Sequence, residues 1–189
     1  MTNLLNILIK KSISEYKVGN IRNSKKIALD ILKSHPKNID ASYILGIISN
    51  DEENYAGAIN YFDLVINAND KDPEVWNHKA IALSKKGDFE LAIDNFERAL
   101  NLGSVHKEKI FNNIIISIFH LNDNQRNKDY SKAILYAKKV LEIDNKNISA
   151  LSNLALAYLY ELKTTEAIKL FEQITKLNPN LYNNYTNLG

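Results

Sequence analysis

One short pattern recurs along this chain at a fixed spacing, and the recurrence limits the possible folds more than any other feature. Ala58 and Phe62 are followed 34 residues later by Ala92 and Phe96. The residues that share this frame, the last pair after an insertion of about seven residues, are Ala58, Ala92 and Ala167 with Phe62, Phe96 and Phe171. Self-similarity at such a period indicates a stack of copies of one small structural unit.

Each copy has the pattern of two helices joined by a short turn. In the third copy Asp72 can cap a helix that begins at Pro73, because proline has no N–H to offer and its φ is already helical. This first helix should end at Lys86, with Gly87 in the turn. The second helix should run to about Asn101, since its apolar residues have the spacing of one helical face.

The recurring residues resemble the tetratricopeptide repeat consensus, W-x-x-L-G-x-x-Y, then A-x-x-x-F, then P. The residues that carry the resemblance are Leu45, Gly46, Tyr55, Ala58 and Phe62 in the second unit, Trp76, Ala80, Gly87, Ala92 and Phe96 in the third, and Leu154, Ala155, Tyr158, Ala167, Phe171 and Pro179 in the fifth. The first unit departs from it, with Ser12 and Ser24 in place of the small residues and Ala28 at the aromatic position.

The resemblance implies an all-α fold, a right-handed superhelical solenoid of antiparallel helix pairs. About five units and a partial sixth fit the chain, at residues 5–38, 39–72, 73–107, 108–147, 148–181 and 182–189. Such an array is continuous, so we expect a single domain over residues 1–189. One unit alone buries too little surface to offset the entropy of ordering it, so stacking should supply the stability.

Composition excludes several classes of partner. The chain has 24 Lys and Arg against 22 Asp and Glu, a net charge of +2, so we expect no nucleic acid partner. It has no cysteine, which excludes disulfides and thiolate chemistry and fits a cytoplasmic protein. The apolar run at residues 4–9 is short, is interrupted by Asn6 and is followed by Lys10, so no signal peptide or membrane association is expected.

No pattern in the chain predicts catalysis. The four histidines, at positions 35, 78, 106 and 120, lie in different units, without the close pairing that a zinc site uses. No glycine-rich phosphate loop occurs. The stretch from Asn67 to Asp72 lacks the glycine and the glutamate of a calcium loop and fits a helix end followed by a cap. We therefore predict a protein that is not an enzyme and has no metal or cofactor.

The resemblance also implies where a ligand would bind, because in this family the first helices of the units form the inner, concave face of the superhelix. The sixth position of these helices holds His78, Asn113, Asn153 and Asn187, and the ninth holds Ile13, Ile47, Ile81, Ile116 and Leu156. In superhelical members, such as the sugar-transferring enzyme of the nucleus and cytosol, asparagines at the sixth position bind the backbone of an extended peptide. An Asn amide donates and accepts, so it would hold a peptide irrespective of its side chains. The ninth-position row could contact a ligand or pack between neighbouring helices.

We therefore predict a protein-protein interaction scaffold that binds a peptide or a partner helix in the concave groove. The alternative is that the chain is the substrate-docking or targeting region of a larger enzyme that continues beyond residue 189. The carboxylate clamp by which some family members bind acidic chaperone tails is not expected, since no three consecutive units supply its cationic residues. An RNA-binding helical repeat is disfavoured by the nearly neutral charge.

Two segments depart from the regular pattern, and each has two interpretations. The polar stretch at residues 122–129 enlarges the turn of the fourth unit, either as a contact for a partner or as an insertion tolerated at a solvated tip. Residues 182–189 match the start of a sixth unit, with Tyr185, Leu188 and Gly189 at the Trp, Leu and Gly positions. Self-association through this incomplete unit is possible, because a half-unit leaves apolar surface uncovered.

Overall fold

The computed structural model of the protein describes residues 2–123 and 128–179. These residues form ten helices and no strand, so the all-α prediction is confirmed. The helices are α1 (Thr2–Lys17), α2 (Ile21–Ser34), α3 (Ile39–Asp51), α4 (Tyr55–Ala68), α5 (Pro73–Lys86), α6 (Phe89–Asn101), α7 (Lys107–Asp123), α8 (Ser131–Ile143), α9 (Ile148–Tyr160) and α10 (Thr164–Leu177).

The helix pair of the third unit begins and ends where the sequence predicts. The Asp72 side chain accepts a hydrogen bond of 2.9 Å from the backbone N–H of Glu74, and Pro73 is the first residue of α5. Gly87 ends the helix with a φ of 98°, a left-handed conformation that glycine adopts without steric cost. Local capping chemistry therefore determines these boundaries.

The chain forms two compact units, residues 1–104 and 105–189, which we describe separately. In the first, α1 to α6 pack as successive antiparallel pairs, and α2 and α4 each pack against the helix that follows. In the second, α7 pairs with α8 and α9 with α10, and α8 also packs against α9. The continuous array over residues 1–189 stays a prediction.

The 34-residue spacing of the sequence is also seen in the packing of the first compact unit. Phe62 in α4 and Phe96 in α6 stand 34 residues apart in the sequence, and both are fully buried. Gly46 in α3 lies against the Phe62 ring so closely that a Cβ atom added to it would stand 2.6 Å from a ring carbon. The small residues of the motif therefore mark the places where a helix backbone touches a buried aromatic ring.

The divergent first unit replaces this small-residue contact by hydrogen bonds. The Ser12 hydroxyl donates to the Ser24 carbonyl at 3.0 Å, and the Ser24 hydroxyl donates to the Ser12 carbonyl at 2.8 Å. Both side chains are buried. These reciprocal bonds join α1 to α2 at the positions that Gly46 and Ala58 occupy in the next repeat. The two helices of the first repeat are therefore held together by hydrogen bonds where the next repeat has a glycine and an alanine.

We expect Ser12→Ala and Ser24→Ala each to lower the free energy of unfolding by about 0.5 to 1.5 kcal/mol, because each removes one buried hydrogen bond. The double variant should lose less than the sum, since the two hydroxyls also lie 3.2 Å from each other. Urea denaturation of the four proteins of this double-mutant cycle measures the coupling. Strictly additive losses would contradict the reciprocal arrangement.

One side chain closes the enlarged turn of the fourth unit. The side chain of Asn122 is buried and donates to the carbonyl of Asp129 at 2.7 Å, while its oxygen accepts the N–H of Asp129 at 3.3 Å. Residues 124–127 lie outside the described ranges. The two ends of the insertion are thus held together, and this arrangement is compatible with both a partner contact and a tolerated insertion.

Candidate functional site

In the first compact unit, three of the predicted ligand-binding residues lie on α3 and α5. His78 is half-buried, with its ring stacked on Phe62 at 5.9 Å and edge-on to Tyr43 at 5.8 Å. Ile47 packs partly buried against the core cluster that contains Phe62, and Ile81 is half-buried. His78 therefore joins α3, α4 and α5 through aromatic packing, in addition to any role toward a ligand.

Two asparagines of the same helices have amide oxygens without a hydrogen-bond partner. The side-chain N–H of Asn50 donates to the carbonyl of His78 at 3.2 Å and thereby links α3 to α5, while its Oδ1 is buried and unpaired. Asn77 is only 8% exposed, and its Oδ1 is likewise buried and unpaired. A buried acceptor without a partner costs about 1 to 3 kcal/mol. Both oxygens are enclosed by protein atoms, so a ligand N–H would reach them only after the side chains turn outward.

Sequence reasoning did not assign these two asparagines to the ligand site. Asn77 stands one position before the predicted sixth position, and Asn50 is in the last turn of α3. A sequence signal does exist for the first, because Asn112 occupies the same fifth position in the next unit and its Oδ1 is also buried and unpaired. A recurring fifth-position asparagine could therefore have indicated Asn77, whereas no such signal exists for Asn50.

The phenol of Tyr43 is partly buried and feels the negative charge of two carboxylates. Its burial, together with the charges of Asp72 and Glu74, raises the pKa of the Tyr43 hydroxyl to about 12. The phenol is therefore protonated at every physiological pH and can donate a hydrogen bond to a ligand carbonyl. Tyr43 lies on α3, as Asn50 does, and Asn77 lies on α5, so these two helices carry both a donor and acceptors.

In the second compact unit, the predicted residues lie on α7 and α9. Asn113 and Asn153 are half-buried, and the carbonyl of Asn113 accepts the Ser117 hydroxyl at 2.8 Å. Ile116 and Leu156 are exposed. Among the described residues no hydrogen bond joins the two asparagines, so the ladder stays a prediction. Its fourth member, Asn187, lies outside the described residues.

An aromatic cluster in the second compact unit was not predicted from the sequence. The rings of Tyr130 and Tyr160 stack at 4.6 Å, and Phe119 lies 5.4 Å from Tyr130. Lys128 lies 5.9 Å from the centre of the Tyr160 ring. The Tyr130 ring is almost fully buried with an unpaired hydroxyl, and this burial raises the pKa of the phenol. The cluster fixes the start of α8 against the end of α9.

Within residues 2–123 and 128–179, no three His, Cys, Asp or Glu side chains come together as a metal site would require. In those ranges every helix is too short or too polar to cross a bilayer.

Comparison with solved structures identifies similar folds. The chain is 20% identical to a structure described as the MamA protein, over 95% of this chain and 94% of that one, with a TM-score of 0.81. It is 16% identical to YrrB, described as a TPR protein with an unusual peptide-binding site, over 91% and 85% of the two chains, with a TM-score of 0.80. MamA from Desulfovibrio magneticus RS-1 is 15% identical over 93% and 96%, with a TM-score of 0.77. At these identities the likeness establishes the fold.

Sequence profiles of one family match most of the chain. Three profiles, each described as a tetratricopeptide repeat, match residues 9–74, 73–103 and 149–181. They cover the same regions in which the repeated alanines and phenylalanines were found, and the all-α, TPR-like solenoid fold agrees with them. The chain belongs to the tetratricopeptide repeat family.

Proposed function

We propose that this protein is a non-enzymatic interaction scaffold that binds an extended peptide on the face formed by the first helices of its units. The observation that carries the proposal is the pair of buried, unpaired amide oxygens of Asn50 and Asn77. YrrB, which has a similar fold, is described as having a peptide-binding site, and this agrees with the proposal.

An extended peptide suits these acceptors better than a helix does. The N–H groups inside a helix are already bonded within it, whereas an extended strand offers free N–H groups along its length. Each hydrogen bond would add about 0.5 to 1.5 kcal/mol net. Tyr43, Ile47 and His78 would give apolar contact beside them. Backbone bonds of this kind are tolerant of sequence, so we expect weak binding to many peptides.

Peptides selected from a random dodecapeptide library provide a probe of this face. Against such peptides, the Asn50→Ala, Asn77→Ala double variant should bind about 5- to 150-fold more weakly, because two hydrogen bonds are lost. Asn95→Ala is a matched control, since Asn95 also has a buried, unpaired Oδ1 but lies on α6, a second helix. Fluorescence anisotropy with labelled peptides measures the affinities.

Two controls show whether the lost affinity comes from hydrogen bonds between this face and the peptide backbone. Asn95→Ala should bind as the wild type does, and methylation of the contacting peptide nitrogens should weaken binding to the wild type only. Equal affinity of the wild type and the double variant would exclude this face. The predicted ladder of Asn113, Asn153 and Asn187, with Ile116 and Leu156, is tested by the same peptides on an Asn113→Ala, Asn153→Ala variant.

The location of the protein, the class of its partners and its self-association are also proposals. We place the scaffold in the cytoplasm and expect protein partners rather than nucleic acid, because the chain has no cysteine and a net charge of only +2. A docking region of a larger enzyme would use the same peptide-binding face. Self-association through the C-terminal unit is also proposed, because Phe171 on α10 is 38% exposed, whereas its equivalents Phe62 and Phe96 are fully buried.

A further inference from the structure

Each described junction between consecutive repeats within a compact unit buries one residue of the second helix and one of the following first helix. These pairs occupy equivalent positions of the repeat frame, and every member is at most 1% exposed. The pairs are Ala28 with Ala41, Phe62 with Val75, and Ala137 with Ala150. The α4–α5 junction, where Phe62 and Val75 belong to one core cluster, therefore serves as a template for how two repeats join.

Among the described helices, the same two positions are exposed on the first, α1, and on the last, α10. On α10, Phe171 stands at the position of Phe62 and is 38% exposed. On α1, Ile7 stands at the position of Val75 and is 54% exposed. Helix α10 thus carries the residue that a second helix contributes to the buried pair, and α1 carries the residue that a first helix contributes, but neither has its partner. The two exposed residues are complementary in the repeat frame.

The charged residues beside these two positions also correspond to an ion pair at the template junction. At the template junction the Lys79 ammonium lies 2.6 Å from a carboxylate oxygen of Asp63. The equivalent of Lys79 on α1 is Lys11, and the equivalent of Asp63 on α10 is Glu172. Both are exposed. A contact between α1 and α10 in the template geometry would therefore pair opposite charges as well as apolar side chains.

We propose that α1 of a second copy docks on α10 of the first copy, head to tail, in the geometry of the α4–α5 junction. Ile7 then covers Phe171, and Lys11 pairs with Glu172. This inference rests on the self-association proposed above and specifies its surfaces. The contact is heterologous, since different surfaces of the two copies meet, and each dimer still has one free α1 and one free α10. Further copies can therefore add.

Blocking one surface at a time tests this arrangement. Ile7→Glu and Phe171→Glu should each weaken self-association of the full chain by about tenfold or more, because docking would bury an unpaired carboxylate. Leu64→Glu is the matched control, since Leu64 is an exposed leucine on α4 outside both surfaces. Sedimentation velocity over a range of concentrations measures association, and circular dichroism checks that each variant is folded.

Mixing the two blocked variants distinguishes the arrangement from other contacts. The Ile7→Glu protein keeps a normal α10, and the Phe171→Glu protein keeps a normal α1. At a concentration at which each variant alone is monomeric, an equimolar mixture should therefore form a one-to-one dimer that grows no further. A contact between two α10 helices would instead leave Ile7→Glu associating as the wild type does, and this result would overturn the head-to-tail geometry while self-association stands.

A charge exchange supplies a second test. Lys11→Glu alone and Glu172→Lys alone should each weaken association by about two- to fivefold, the effect of an exposed ion pair. The variant that carries both changes should regain the wild-type affinity. A wild-type chain that is monomeric at all concentrations would overturn self-association itself. The peptide-binding proposal would be unaffected.

Discussion

Replacing Phe96 by alanine should lower the free energy of unfolding by about 3 to 5 kcal/mol. Phe96 is fully buried on α6, whose remaining buried residues include Ala92 and Ala99. Removal of the ring takes away its apolar burial and leaves a cavity that small, fixed neighbours cannot fill. Chemical denaturation followed by the fluorescence of Trp76, the only tryptophan of the chain, measures the loss in the first compact unit.

Phe171→Ala is the matched comparison, because it removes the same side chain from the equivalent position of α10. Phe171 is 38% exposed, so the loss should be about 1 to 2 kcal/mol, measured by circular dichroism at a protein concentration at which the chain is monomeric. Equal losses at the two positions would contradict the burial pattern on which both the repeat frame and the docking surface depend.

The helices could be predicted because their boundaries are set by nearby residues. Asp72, Pro73 and Gly87 act within one helical turn of themselves, so their effect can be read from the sequence alone. The frame of alanines and phenylalanines then predicts which faces pack. Both signals are local or periodic, and neither requires knowledge of distant contacts.

The candidate site could be predicted only in part, because its details depend on residues that are distant in the sequence. His78 stacks on Phe62 and meets Tyr43, side chains that belong to two other helices. Its position in the frame does not reveal those contacts. The unpaired oxygen of Asn77 stands one residue away from the predicted position, and one residue is a rotation of about 100° on a helix. The sequence thus predicts which helices carry the candidate site, whereas the contacts of the individual side chains depend on the fold.

Gly46→Ala should destabilise the protein by about 1 to 3 kcal/mol, although the same change in most helices is stabilising by about 1 kcal/mol. The added Cβ would stand 2.6 Å from the Phe62 ring, and that ring is fully buried between Tyr43 and His78. Gly57→Ala is the control. The atoms nearest to its Cβ belong to the side chain of Asn54, an exposed N-cap whose hydrogen bond to the Gly57 N–H would be lost if it turned away, so any cost of this change should not depend on the Phe62 ring.

A second substitution shows whether the Phe62 ring causes the loss. In a Phe62→Leu background the shorter side chain leaves room for a methyl group at position 46, so Gly46→Ala should cost less there than in the wild type. The four proteins form a double-mutant cycle, and urea denaturation should give a coupling energy of about 0.5 to 3 kcal/mol. If the cost of Gly46→Ala were unchanged in that background, the penalty would arise elsewhere. The glycine of the repeat motif would then have no packing role at this helix contact.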